Sequence, residues 1–80
     1  MESTDFPQYR RSSNGLNWYR IASPVELVEV QRVGKRWLLH RLRAEAYPEK
    51  ARILDLLAMT DGHVACCPAA EVEEKIAAAG

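Results

Sequence analysis

Four side chains in this sequence carry groups that often bind metals or act as nucleophiles: His40, His63, Cys66 and Cys67. Imidazole nitrogen and thiolate sulfur are common ligands of structural zinc. Zinc sites normally use ligand pairs about two to four residues apart, whereas adjacent residues of a strand point to opposite faces. The sequence therefore predicts no metal site, with Cys66 buried as a small apolar side chain and Cys67 leading into the last helix.

Nucleophilic catalysis also lacks supporting residues. A reactive thiol needs a lowered pKa and an oriented base, and only the position of Cys67 near a helix start favours a thiolate. Glu29 and His40 are expected to face each other across two strands as a solvated acid–imidazole pair. No glycine-rich loop of the nucleotide-binding kind is present. We therefore expect no enzyme activity and no cofactor.

The elements that position these side chains begin with a predicted hairpin. Residues 1–8 are polar and aperiodic, which predicts a flexible arm before a single domain at 9–80. Tyr9–Arg11 and Leu16–Ile21 are typical of two strands joined by a turn at Asn14-Gly15, where Asn-Gly supplies positive φ values. The first strand is short and is expected at an edge of the sheet.

A second predicted hairpin joins strands at Leu27–Val33 and Arg36–Ala44 through Gly34-Lys35. Glycine suits the first central position of a type II′ turn, which places Val33 opposite Arg36. With that register, the face expected to build the core carries Val28, Val30, Trp37 and Leu39. The opposite face, with Leu27, Gln31, Leu38, Leu42 and the Glu29–His40 pair, is expected to be partly wetted.

Two helices and one short strand are predicted to follow. Pro48 suits the first position of a helix that ends near Met59 at Asp61-Gly62, with Ala51, Leu54, Leu57 and Ala58 as its apolar face. His63–Cys66 can form a short strand. Pro68 opens a last helix whose apolar stripe is Val72, Ile76 and Ala79.

The predicted order is ββββ-α-β-α, an α+β fold with a small antiparallel sheet packed against one or two helices. The chain has 80 residues, of which 48% are apolar and 28% charged, values typical of one globular domain. No basic-apolar leader or run of about 20 apolar residues occurs, and the two cysteines are adjacent. These features predict a cytoplasmic protein with reduced thiols and no membrane association.

The net charge of zero conceals a segregation of signs along the chain. Residues 9–44 contain eight basic and two acidic side chains, a net charge of +6, whereas residues 45–80 contain three basic and seven acidic ones, a net charge of −4. This predicts a dipolar domain that binds another protein, as a monomer or homodimer. The candidate partner-binding residues are Glu45, Glu49, Asp55, Glu71, Glu73, Glu74, Arg32, Lys35 and Arg36.

Nucleic-acid binding is the alternative to protein binding. Arginines of the two hairpins, including Arg20, Arg32 and Arg41, alternate with aromatic residues such as Trp18 and Trp37, a mixture used to bind single strands and duplex backbones. The absence of a basic excess and a pI of about 6.7 argue against it. The tryptophans are also expected in the core of so small a domain.

Small size, an Ala- and Arg-rich composition and the lack of catalytic residues give the chain a resemblance to the small anti-CRISPR proteins of phages and mobile elements. The resemblance is one of general character, covers the whole chain and carries over no residues, because these inhibitors share no motif. It implies a non-catalytic inhibitor in a bacterial host cell that docks on a type I Cascade effector, a CRISPR surveillance complex, and blocks binding of target DNA.

Overall fold

The chain runs through four strands, a helix, a fifth strand and a second helix, in the predicted order. The computed structural model describes residues 6–59 and 62–80. Residues 1–5 of the predicted arm and Asp61 of the predicted helix end lie outside the described residues. The elements are β1 (Gln8–Ser12), β2 (Asn17–Ser23), β3 (Glu26–Val33), β4 (Arg36–Arg43), α1 (Tyr47–Ala58), β5 (Val64–Cys66) and α2 (Ala69–Ala79).

All five strands form one antiparallel sheet with the order β4-β3-β2-β1-β5. The prediction that the first strand lies at an edge is wrong, because β5 pairs with its outer side and sets Arg11 opposite Ala65. β1 also begins at Gln8, within the segment predicted as an arm, and Phe6 packs against the core. The edges of the sheet are therefore β4 and β5.

The second hairpin has the predicted register, with Val33 opposite Arg36 and Glu29 opposite His40. Gly34 has a φ of +63°, and among the described residues other than glycine only Met59 has a positive φ. Lys35 therefore has a negative φ. A type II′ turn requires this, because only its first central residue has a positive φ. In the first hairpin Gly15 alone supplies a positive φ, +74°.

The sheet buries both of its faces near β2, because successive residues of a strand point to opposite sides. On one side Tyr19, Ile21 and Leu27 pack against α1. On the other side Trp18 and Val30 pack against α2. The face predicted as partly wetted thus contains a second core around Leu27, which is 2% exposed, and it is open toward the β3–β4 turn and β4, where Val33 and Leu38 are exposed.

Helix α1 turns a different side to the sheet than its sequence predicts. Its buried residues are Ile53 and Leu56, with Leu57 packed beside them. Leu54, predicted to lie on the core face, is 55% exposed, and Ala58 is also exposed. The prediction is wrong because α1 carries apolar residues on two sides. The side with Ile53 and Leu56 packs against Tyr19, Ile21 and Leu27, and the side with Leu54 does not.

Helix α2 uses the predicted stripe. Val72 is fully buried, and Ile76 and Ala79 pack against the same cluster. Pro68 precedes the first helical residue with an extended ψ of 142°, so it stands one position before the predicted one. Within the described part of the chain, neither helix has the length and apolar content of a membrane-spanning segment.

We predict that Ile53→Ala and Leu54→Ala differ sharply in their effect on stability. Ile53→Ala opens a cavity in the core and should lower the free energy of unfolding by about 2–5 kcal/mol. Leu54→Ala removes a side chain that is mostly in water and should change it by less than about 1 kcal/mol. Urea denaturation followed by tryptophan fluorescence measures both; a larger loss for Leu54→Ala would contradict the orientation of α1.

Candidate functional site

The predicted partner-binding residues fall into three groups in the structure. Glu71 and Glu73 are bonded within the chain to the sheet. Four further acidic residues lie on or beside the helices, and the basic residues lie at the β3–β4 hairpin. The residues in the last two groups are Glu45, Glu49, Asp55, Glu74, Arg32, Lys35 and Arg36.

Glu71 lies in the first turn of α2 and faces β1 and β2. Its carboxylate accepts hydrogen bonds from the Trp18 indole N–H at 2.9 Å and from the Arg11 guanidinium at 3.0 Å. The Trp18 N–H, and after it the Arg11 guanidinium, hold the pKa of Glu71 below its ordinary value. Glu71 is therefore a structural contact between the helix and the sheet.

Glu73 makes an equivalent contact on the other side of Val72. It accepts a hydrogen bond from the Tyr9 hydroxyl at 2.7 Å and two from the Arg20 guanidinium at 3.0 and 3.1 Å. The Tyr9 and Arg20 hydrogen bonds lower the pKa of Glu73, whereas burial, and then Glu73 itself, raises the pKa of Tyr9.

Trp18 and Trp37 are packed where α2 contacts the sheet, and they are not free to stack on a ligand. Their ring centroids are 5.6 Å apart. The Lys75 ammonium lies 5.1 Å from the Trp18 ring and 5.4 Å from the Trp37 ring, and the Arg32 guanidinium of β3 lies 5.5 Å from the Trp37 ring. Trp18 is 6% exposed, so α2 with Lys75 already covers these rings.

The remaining acidic residues do not form one continuous face. Glu49 accepts hydrogen bonds from the backbone N–H of Glu45 at 3.1 Å and of Ala46 at 3.5 Å, which satisfies free donors before the start of α1. The side chains of Glu45, Asp55 and Glu74 are exposed on separate elements. The predicted acidic side of the domain is thus smaller than the charge count indicates.

Lys35, Arg36 and Arg41 of the second hairpin lie on or just before β4, at the open edge of the sheet, with Arg36 and Arg41 on opposite faces. Strand β4 has a neighbour only on its β3 side. Lys35, Arg36 and Arg41 are exposed, and within the described part of the chain they form no ion pair. Arg43 makes only a long, solvent-exposed contact with Glu26, at 3.7 Å. We call β4 together with these cations the β4 edge. Its position at an edge of the sheet was not predicted, because the sequence does not reveal which strand is outermost.

The predicted acid–imidazole pair is replaced by a different ion pair. Glu29 and His40 are cross-strand neighbours as predicted, but the Glu29 carboxylate accepts a hydrogen bond from the Arg52 guanidinium of α1 at 2.8 Å. Arg52 reaches Glu29 because α1 crosses this face of the sheet. Glu29 therefore holds α1 against the sheet. Its described hydrogen bond is to Arg52 and not to His40.

The cysteines are also placed differently from the prediction. Cys66 was expected to be buried, but it is exposed because β5 is an edge strand. Burial, and then the Glu71 carboxylate, raise the pKa of Cys67, the opposite of what an activated nucleophile needs. Among residues 6–59 and 62–80, no three His, Cys, Asp or Glu side chains are grouped as metal ligands.

Beside α1, Arg52, Asp55 and His63 line an open polar cleft of about 320 Å³ with Asn17 at its wall. The carbonyl oxygen of the Asn17 side chain is buried there and accepts no hydrogen bond from the described residues. Tyr19, Leu56 and Val64 add apolar surface to the lining of the same cleft. No protein-family model, no curated protein and no solved structure matches this chain.

We predict that Glu71→Gln weakens the fold in a pH-dependent way. A carboxyl group whose folded pKa is lowered stabilises the fold above its unfolded pKa, and this stabilisation is lost as the pH falls through the folded pKa. At pH 7 Glu71→Gln should lower the free energy of unfolding by about 0.5–1.5 kcal/mol, and the difference from wild type should shrink between about pH 5 and pH 3.

Glu74→Gln is the matched control, because Glu74 is an exposed residue of the same helix. Urea denaturation at a series of pH values measures both variants. A stability difference for Glu71→Gln that persists unchanged at pH 3 would contradict the assigned role of its charge.

Proposed function

We propose that the protein acts without catalysis, by binding an acidic surface of another protein with its β4 edge. β4 supports this proposal because it is an eight-residue strand whose outer side has no strand neighbour and whose cations Arg36 and Arg41 have no described acidic partner. Unneutralised charge at a protein surface steers and orients an oppositely charged partner.

An extended segment of the partner can add to this edge as a sixth strand. The backbone N–H and C=O groups on the outer side of an edge strand are available to a new strand. Side chains then give specificity. Trp37, Leu39, Arg41 and Arg43 point to one face of β4, and Arg36, Leu38 and Leu42 to the other, so an acidic strand would meet cationic and apolar side chains on both faces. Such addition needs no catalytic group, because the backbone of the edge strand and the side chains beside it supply the contacts.

In the specific form that the anti-CRISPR resemblance implies, the partner is a type I Cascade effector and the protein inhibits its binding of target DNA. An inhibitor that imitates DNA would use its acidic side chains against lysines of the effector. Because Glu71 and Glu73 are bonded within the chain, the basic β4 edge is the better candidate for contact with an acidic rim of the effector.

We predict that the protein co-elutes with a purified type I effector on size-exclusion chromatography, and that the double variant Arg36→Glu/Arg41→Glu does not. Reversing two unpaired cations should weaken binding by at least about tenfold, because attraction becomes repulsion at both positions. The matched counter-test is Glu45→Lys/Glu74→Lys, which should bind like wild type. Loss of binding in this second variant alone would show that the acidic side is used instead, and no co-elution would overturn the Cascade proposal.

Nucleic-acid binding is the second candidate, since the same unpaired cations can contact phosphates. It has less support because Trp18 and Trp37 are covered by α2 and Lys75, which removes the stacking platform. We predict no mobility shift of short single-stranded or duplex DNA at about 150 mM salt. A shift at that salt concentration that Arg36→Glu/Arg41→Glu abolishes would favour this candidate over protein binding.

A further inference from the structure

The outer face of α1 carries an apolar stripe that the monomer does not use. Tyr47 and Leu54 are 79% and 55% exposed, more than any other large apolar side chain of the described residues. They lie seven residues apart, and Ala51 and Ala58 lie between and after them at helical spacing. The stripe points away from the sheet, because the buried residues of α1 are Ile53 and Leu56 on the opposite side.

The four residues of this stripe are spaced as in a heptad repeat. Ala51 and Ala58 fall at a positions, and Tyr47 and Leu54 fall at d positions, the pattern of a helix that pairs with another helix. Leucine at d is also found in two-stranded parallel coiled coils, where Ile or Val occupies a; here alanine occupies a. The pattern spans the whole length of α1, from Tyr47 to Ala58.

Two exposed charges flank the stripe on opposite sides. Lys50 falls at a g position and Asp55 at the e position five residues later, and both are exposed without a described ion-pair partner. In a parallel pair of helices, a g residue of one helix contacts the following e residue of the other. In an antiparallel pair, g contacts g and e contacts e, which would oppose lysine to lysine and aspartate to aspartate.

From this pattern we infer that α1 pairs in parallel with α1 of a second copy of the chain, forming a two-fold symmetric dimer. Leu54 packs against Leu54 of the second copy, and Lys50 of each copy pairs with Asp55 of the other. A two-fold axis along the helices repeats both ion pairs, as an isologous interface requires. This surface lies on α1, and it is separate from the β4 edge invoked in the proposed function.

The dimer is a weak one. Two helices of twelve residues each bury an area at or below the low end of specific interfaces, about 1,200 Å² in total, where transient association is usual. Association requires no free energy to fold α1, because α1 is already folded against the sheet. A concentration-dependent equilibrium between monomer and dimer is therefore expected.

Analytical ultracentrifugation of the full chain tests the inference. The weight-average mass of the wild type should rise with concentration from 9.1 kDa toward twice that value. Leu54→Glu should abolish the rise, whereas the control Leu16→Glu, at a leucine 45% exposed outside α1, should retain it. A wild-type mass that stays at the monomer value up to millimolar concentration, or equal behaviour of the two variants, overturns the dimer.

Charge reversal tests the parallel orientation. Lys50→Glu alone and Asp55→Lys alone each turn two attractive contacts into repulsive ones, and each should raise the dissociation constant about tenfold. The double variant Lys50→Glu/Asp55→Lys exchanges the charges and should restore it. An antiparallel pair would not be weakened by the single changes, so unaltered single variants overturn the inference. Circular dichroism confirms that each variant is folded.

Discussion

The contact of α2 with the sheet is the interaction on which the rest of the structure depends. Val72 is fully buried against Trp18 and Val30, and the residues on either side of it, Glu71 and Glu73, are bonded to groups of β1 and β2. A helix of eleven residues is marginal in water without tertiary contacts. One apolar anchor between two charge-assisted contacts therefore fixes both the position of α2 and its rotation about its axis.

This contact also changes the meaning of the charge segregation. The basic first half and the acidic second half of the chain neutralise each other where α2 crosses β1 and β2, through Arg11 with Glu71 and Arg20 with Glu73. Glu29 with Arg52 is a third pair between the halves, but it joins an acid of the basic half to a base of the acidic half and so does not reduce the segregation. The dipole expected from the sequence is therefore reduced where α2 meets the sheet, and the cations of β4 are among the charges that α2 does not neutralise.

Local features of the sequence predicted local features of the fold. The register of β3 and β4 followed from Gly34 and cross-strand pairing, because a two-residue turn fixes every pair after it. The rotation of α1 did not follow, since Leu54 and Ile53 are equally apolar and only the shape of the distant pocket around Tyr19 and Ile21 selects between them. Arg36 could be predicted as a surface cation because it follows a local turn. The partners of Glu71 could not be predicted, because they lie some sixty positions away and meet it only in the folded chain.

The β4 edge and the outer face of α1 were assigned different occupants in the proposals because their charges are arranged differently. If β4 paired antiparallel with β4 of a second copy in the register centred on Leu39, Lys35, just before the strand, would face Arg43 of that copy. Like charges at an edge oppose such self-pairing, which favours the proposed acidic strand over a second copy at this edge. On α1 the charges are Lys50 and Asp55, which complement their own copy when the helices are parallel. The proposed dimer and the proposed acidic partner therefore use different surfaces, α1 for self-association and β4 for the acidic strand.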